Sequence, residues 1–140
     1  MYLINKQALE LVKGELQSEM EKLIFEIDQP VHKMDREALL NGLTHIHGVF
    51  SLLEVVGGKA IVTDIVALLQ SAGAEELSEG HWDVAVNAIK LLPVYFQQVQ
   101  SAERDNPLLL LPEINELRRC NGQPLRDEYF FISQLLPESP

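Results

Sequence analysis

Leu43-Thr44-His45-Ile46-His47-Gly48-Val49-Phe50-Ser51-Leu52-Leu53-Glu54-Val55-Val56-Gly57-Gly58 is the stretch on which the reading of this chain turns. At about 100° per residue along a helix, Leu39, Leu43, Ile46, Phe50 and Leu53 gather on one side as an inward stripe. Thr44, Gly48, Ser51 and Val55 fall opposite, with Leu40 and His47 at one shoulder and Leu52 at the other. The outward face therefore has small residues along its middle and apolar ones beside them. Glycine at position 48 costs ~1 kcal/mol of helix propensity relative to alanine, and it lets another backbone approach closely. Asp35 is placed to cap the start of this helix. Its end is expected near Val56, where Gly57-Gly58 breaks it and allows a tight reversal.

On either side of this stretch the same period recurs, separated by short breaker clusters. Leu9, Val12, Leu16, Met20, Leu23 and Ile27 predict a helix from about Asn5 to Ile27, ended by Asp28-Gln29-Pro30. Ile61, Ile65, Leu68 and Leu69 predict a shorter one over about 59–71, closed by Ala72-Gly73-Ala74. After the acidic stretch Glu75-Glu76-Leu77-Ser78-Glu79, read as a solvated loop, a fourth helix is expected over about 81–102. Its stripe is Trp82, Val86, Ile89, Pro93, Phe96 and Val99, with a kink and not a termination at Pro93. Asn106-Pro107 opens a fifth helix by the cap and first-turn proline rule, Pro112 bends or divides it, and Asn121-Gly122 stops it.

No pattern resembles paired strands, so the expected fold is all-α: an antiparallel up-down bundle of four helices with an additional C-terminal helix. The bundle is expected over residues 1–122. Residues 123–140 are expected to be an irregular segment leading to a linker, with Tyr129-Phe130-Phe131 folding back onto the bundle. The proline-rich ending suggests the N-terminal piece of a longer protein.

Composition narrows the function classes. The chain has 140 residues, with 21 acidic against 11 basic side chains and a formal charge of −10. A nucleic-acid backbone is repelled by such a surface, as is an anionic membrane. No apolar run approaches the ~18 residues that span a bilayer. The single cysteine, Cys120, excludes an internal disulfide framework and fits a reducing cytoplasm.

Catalytic and metal readings find little support. His45 and His47, two apart on a helix, point about 200° away from one another and cannot share an ion. His32 and His81 fall in or near connections. There is no HExxH, no Cys-x-x-Cys and no phosphate loop, since Val56-Gly57-Gly58-Lys59 lacks the required spacing and strand. No metal, cofactor or catalytic residue is therefore assigned.

With these residues laid out, the 43–58 stretch resembles the active helix of histidine phosphotransfer (HPt) domains. Their His-x-[Leu/Ile/Val]-Lys-Gly core places the reactive histidine four residues before the glycine. With Gly48 as that glycine, the phosphoacceptor position falls on Thr44 and the lysine position on His47. A neutral hydroxyl needs base activation to attack and does not replace an imidazole here. The His47–Gly57 segment further resembles the [His/Arg]-Gly-x-x-x-[Leu/Val/Met]-[Val/Ile]-Glu-[Leu/Val]-x-Gly helix of the ChpA type of hybrid chemosensory kinases that control type IV pili. The same helix occurs in their degenerate relatives, the FimL type of twitching-motility proteins. A second motif, Leu111-Pro112-Glu113-Ile114-Asn115-Glu116-Leu117-Arg118-Arg119-Cys120-Asn121-Gly122-Gln123-Pro124-Leu125, is similar to a Leu-Pro-x-x-Asn-x-Leu-Arg-x-x-x-Gly-x-Pro-Leu segment of those proteins. Its Asn, Arg, Gly and Pro lie in fixed register with no packing cause visible in the pattern, beyond a pairing of Arg118 or Arg119 with the acidic bundle surface.

The resemblance implies a cytoplasmic, non-catalytic HPt-like interaction module of a CheA-like chemosensory system. Its docking face would be Leu40, Thr44, His47, Gly48, Ser51, Leu52 and Val55, and its partner a CheY-like response regulator or a pilus-associated scaffold protein. The alternatives are an active phosphotransfer domain using His45 or His47, and burial of the same face beneath the fifth helix or the Tyr129–Phe131 segment.

Overall fold

The computed structural model describes residues 2–3, 6–30, 35–71, 79–102 and 104–135. The expected acidic loop over 75–78, His32 and the last five residues lie outside them. Helix α1 spans Lys6–Ile27 and buries Leu9, Leu16, Met20, Leu23 and Ile27, the stripe its period sets; Val12 is only half-buried. Helix α2 (Arg36–Leu53) begins where the Asp35 carboxylate accepts the Ala38 N–H at 3.1 Å. Leu39, Leu43, Ile46, Phe50 and Leu53 all point into the core. Helix α3 (Val56–Ser71) buries Ile61, Ile65, Leu68 and Leu69, and α4 (Glu79–Ala102) runs on through Pro93. In α4 the buried set is Ala85, Ala88, Ile89, Leu92, Tyr95, Phe96 and Val99, while Trp82 and Val86 are half-buried.

The four helices form a closed ring: α1 packs on α2, α2 on α3, α3 on α4, and α4 back on α1. Gly42 lies against Leu23 while His45 lies against Glu19 and Glu15, so α1 and α2 run antiparallel. The all-α bundle is the fold the sequence predicts. It carries one addition, a two-residue antiparallel ladder between β1 (Tyr2–Leu3) and β2 (Arg104–Asp105), with Tyr2 opposite Asp105. So short a ladder has no alternation for a sequence pattern to display.

The reversal between α2 and α3 differs from expectation. It falls at Glu54-Val55, not at Gly57-Gly58. Glu54 takes a left-handed conformation (φ 59°), and Val55 N–H reaches back to the Phe50 carbonyl at 2.9 Å, closing the helix end. The two glycines instead occupy the first turn of α3. A Cβ at Gly57 would meet the Pro107 backbone at 2.8 Å and the Tyr95 hydroxyl at 2.7 Å, and one at Gly58 would meet the Phe50 ring at 2.7 Å. They are there for close approach.

Beyond α4 the chain enters a 3-10 turn (Pro107–Leu110) and then α5 (Leu111–Cys120). Asn106 makes no side-chain cap, contrary to expectation, although Pro107 does take the first position. Pro112 sits in the first turn of α5, where its missing N–H costs nothing. Gly122, at φ 69°, ends that helix as expected. The segment after it is less irregular than expected, because Glu128–Leu135 form a helix, α6, started by Asp127 accepting the Phe130 N–H at 3.2 Å. Phe131 reaches the core and Phe130 packs half-buried beside it, while Tyr129 is exposed.

The register of the second motif has a structural cause after all. The Asn115 side chain bonds both backbone groups of Arg126, accepting N–H at 2.8 Å and donating to the carbonyl at 3.0 Å. Arg118 donates from Nε to the Pro124 carbonyl at 2.5 Å and from a terminal nitrogen to buried Asp64 at 3.1 Å. The Arg126 guanidinium then lies 4.0 Å above the Phe130 ring. Arg118 is thus the arginine that meets the bundle, but in its interior, whereas Arg119 pairs with Glu116 of its own helix in solvent.

Two stability predictions arise from this packing. Gly57→Ala and Gly58→Ala are each expected to cost about 1–3 kcal/mol, whereas Gly48→Ala, where an added Cβ meets nothing within 4 Å, should stabilise by up to about 1 kcal/mol. Urea unfolding midpoints check the opposite signs. Arg118→Met is expected to cost about 3 kcal/mol at pH 7 by stranding the Asp64 carboxylate. Burial already raises that carboxyl and Arg118 holds it down. Without the arginine it takes a proton more readily, so the deficit should shrink at pH 5 in the same assay.

Candidate functional site

The face of α2 turned away from its core stripe is open. α5 packs on α3, α4 and the 3-10 turn, and α6 on α3 and that same turn, rather than on α2. Among the described residues, α5 and the Tyr129–Phe131 segment thus do not bury this face. Thr44 and Gly48 are exposed, Leu52 is 66% exposed, and Leu40, His47 and Ser51 are half-buried. Val55 is the exception. It is fully buried, because the left-handed turn at Glu54 ends the helix before it and points it inward. It drops out of the face.

Both hydroxyls on this face turn back onto their own helix. Thr44 donates to the Leu40 carbonyl at 2.9 Å and Ser51 to the His47 carbonyl at 2.9 Å. Neither has a base beside it in these contacts, so neither is set up as a nucleophile.

The two histidines leave the helix on opposite sides, as their spacing requires. His45 leans toward α1, with Nε2 2.8 Å from Glu15 and Nδ1 3.7 Å from Glu19. His47 leans toward α3, where burial and then the nearby Lys59 ammonium hold its imidazole below the ordinary range. It is accordingly neutral at pH 7. Among the described residues no three His, Cys, Asp or Glu side chains converge to hold a metal ion.

Beside the exposed face, α2 and α3 enclose an open groove of about 350 Å³. Val62, Val66 and Ala67 floor it, and Thr44, His47, Thr63 and Gln70 stand around it. None of these is a carboxylate. α3 carries only two charged residues, Lys59 and Asp64, and Asp64 is buried with Arg118. A larger cleft of about 730 Å³ lies on the other side of α2, where His45 joins Glu19, Glu21 and Glu26. Carboxylates of α1 thus line one side of α2, while the groove on the α3 side has none.

Leu40, Thr44, His47, Gly48, Ser51 and Leu52 lie on the outward side of α2, half-buried or exposed. Sequence periodicity missed the contribution of α3, because Val62, Thr63 and Val66 join the face only once the α2–α3 hairpin is closed. No helix among the described residues is long and apolar enough to cross a membrane.

No known family profile and no solved structure matches the chain. Among curated proteins it is similar to the scaffold protein FimL of Pseudomonas aeruginosa (strain PAO1), at 31% identity over 92% of this chain. The chain spans about a quarter of that relative's length, 24%.

Proposed function

We propose that this chain is a non-catalytic, HPt-like docking module of a FimL-like scaffold, in which Thr44 stands where a phosphotransfer domain would carry its histidine. The observation that carries the reading is the uncovered α2 face: Leu40, Thr44, His47, Gly48, Ser51 and Leu52 stay accessible beside a carboxylate-free groove. On a chain of charge −10, a groove without carboxylates lowers the repulsion that an acidic partner meets there. Gly48 offers an approach with no side chain in the way. The similarity to a scaffold protein supports a binding role over a catalytic one. Partners consistent with the resemblance are a CheY-like response regulator or another pilus-associated protein, in the cytoplasm.

The rival, phosphotransfer through His45 or His47, is disfavoured by their surroundings. Both ring nitrogens of His45 face carboxylates, which oppose an incoming phosphoryl group. The His47 imidazole is half-buried between α2 and α3, which restricts the in-line approach of a phosphoryl donor.

Gly48→Arg should leave the bundle folded, since the position is open, yet weaken partner binding at least about tenfold, the effect of ~1.4 kcal/mol. Titration of the labelled protein with candidate response regulators, followed by NMR, should move the resonances of Leu40, Thr44, Gly48 and Leu52. Binding that survives unchanged in folded Gly48→Arg protein places the contact elsewhere. Stoichiometric acid-labile phosphate that disappears in His45→Gln or His47→Gln protein supports the rival.

A further inference from the structure

Asp105 is fully buried at the meeting point of β2, α3, α4 and the 3-10 turn. Its Oδ2 accepts the Gly57 N–H at 3.0 Å, the Val56 N–H beside it favours the charged form, and the Tyr95 hydroxyl donates to Oδ1. Pro107 walls the pocket beside Gly57, and β1 pairs alongside through Tyr2. The groups facing the carboxyl are therefore two backbone N–H donors from α3 and one phenol from α4. Burial ranks first among the influences on it and the backbone N–H groups of α3 come next. Among the described residues no lysine, arginine or histidine side chain pairs with it.

A carboxylate buried without a counter-ion is costly even when hydrogen-bonded. Protonated, the same group still meets both neighbours: Oδ2 accepts from Gly57, and the acid proton on Oδ1 is donated to the Tyr95 oxygen, whose own O–H rotates away from the carboxyl. The neutral form fits the pocket without the desolvated charge.

We propose that Asp105 and Tyr95 form a proton-operated clasp, in which one proton taken up from solvent by the buried carboxyl tightens the joint between α3, α4 and β1, and its loss loosens that joint. Burial is the dominant influence and raises the carboxyl to about 6, against an ordinary value of 3.8. Between those two values the folded chain holds a proton that the unfolded chain releases. The stabilisation is thus fully present below the unfolded value and is lost as pH rises through about 6.

Urea unfolding of the wild type and of Asp105→Asn, from pH 4.5 to 7.5, tests this. Asparagine mimics the neutral acid, accepting from Gly57 and donating to Tyr95. The ratio of the two unfolding constants should change roughly 25-fold across the window, the wild type losing ground as pH rises. Other titrating groups, Asp64 included, cancel in that ratio. Equal pH dependence in both proteins overturns the clasp. Should Asp105→Asn not fold, the ¹³C resonance of the Asp105 carboxyl in the unaltered protein decides: a midpoint near 6 supports the clasp, and one below about 4.5 sinks it.

Discussion

The first N–H groups of a helix need acceptors from outside it, and α3 finds one 48 residues downstream. The residue before it is Val55, fully buried and unable to accept through its side chain, and the one before that is Glu54 in a left-handed turn. The Gly57 N–H, one of the first of α3, lies in the interior and needs a buried acceptor. Asp105 supplies the missing acceptor from the connection after α4. For its carboxylate to reach that N–H, Pro107 and Tyr95 must come so near α3 that Gly57 has no room for a Cβ. That single contact fixes the α2–α3 reversal against α4. It also commits the following chain to the α3–α4 side, where α5 and α6 are laid down. The open face of α2 is a consequence of where this cap comes from.

Helix periodicity carried most of the fold because it depends only on neighbours in sequence. The inward stripes of α1, α2 and α3, the Asp35 cap and the Gly122 stop are all local features, and all were legible. What escaped depends on contacts across the chain. A glycine pair signals either backbone freedom or close approach, and the pattern alone does not separate them. Gly57-Gly58 reads as a breaker for the first reason and is present for the second. Val55 went wrong by the same step, since a helix assumed to run to Val56 carries its outward face one turn too far.

The Asn115–Arg118 motif teaches a related lesson. Polar residues held in a fixed register invite a functional reading, yet these side chains bond the backbone of the segment that follows. Asn115 acts as a short strand would, matching both the N–H and the carbonyl of Arg126. Arg118 joins that segment to Asp64 in α3. Similarity in this motif therefore reports how the C-terminal part is fastened to the bundle. The candidate for partner selection has to be sought on α2.

There the distribution of charge matters more than its total. Fields from exposed groups fade over about 8 Å at physiological ionic strength, less than the ~10 Å width of one helix. The carboxylates of α1 line the cleft on one side of α2, while the groove on the other side has none. A partner arriving at the α2–α3 groove thus meets apolar side chains, hydroxyls, an imidazole and an amide, largely screened from the carboxylates of α1. Net charge alone would turn an acidic partner away from this protein; the local surface removes that objection at the outward face of α2.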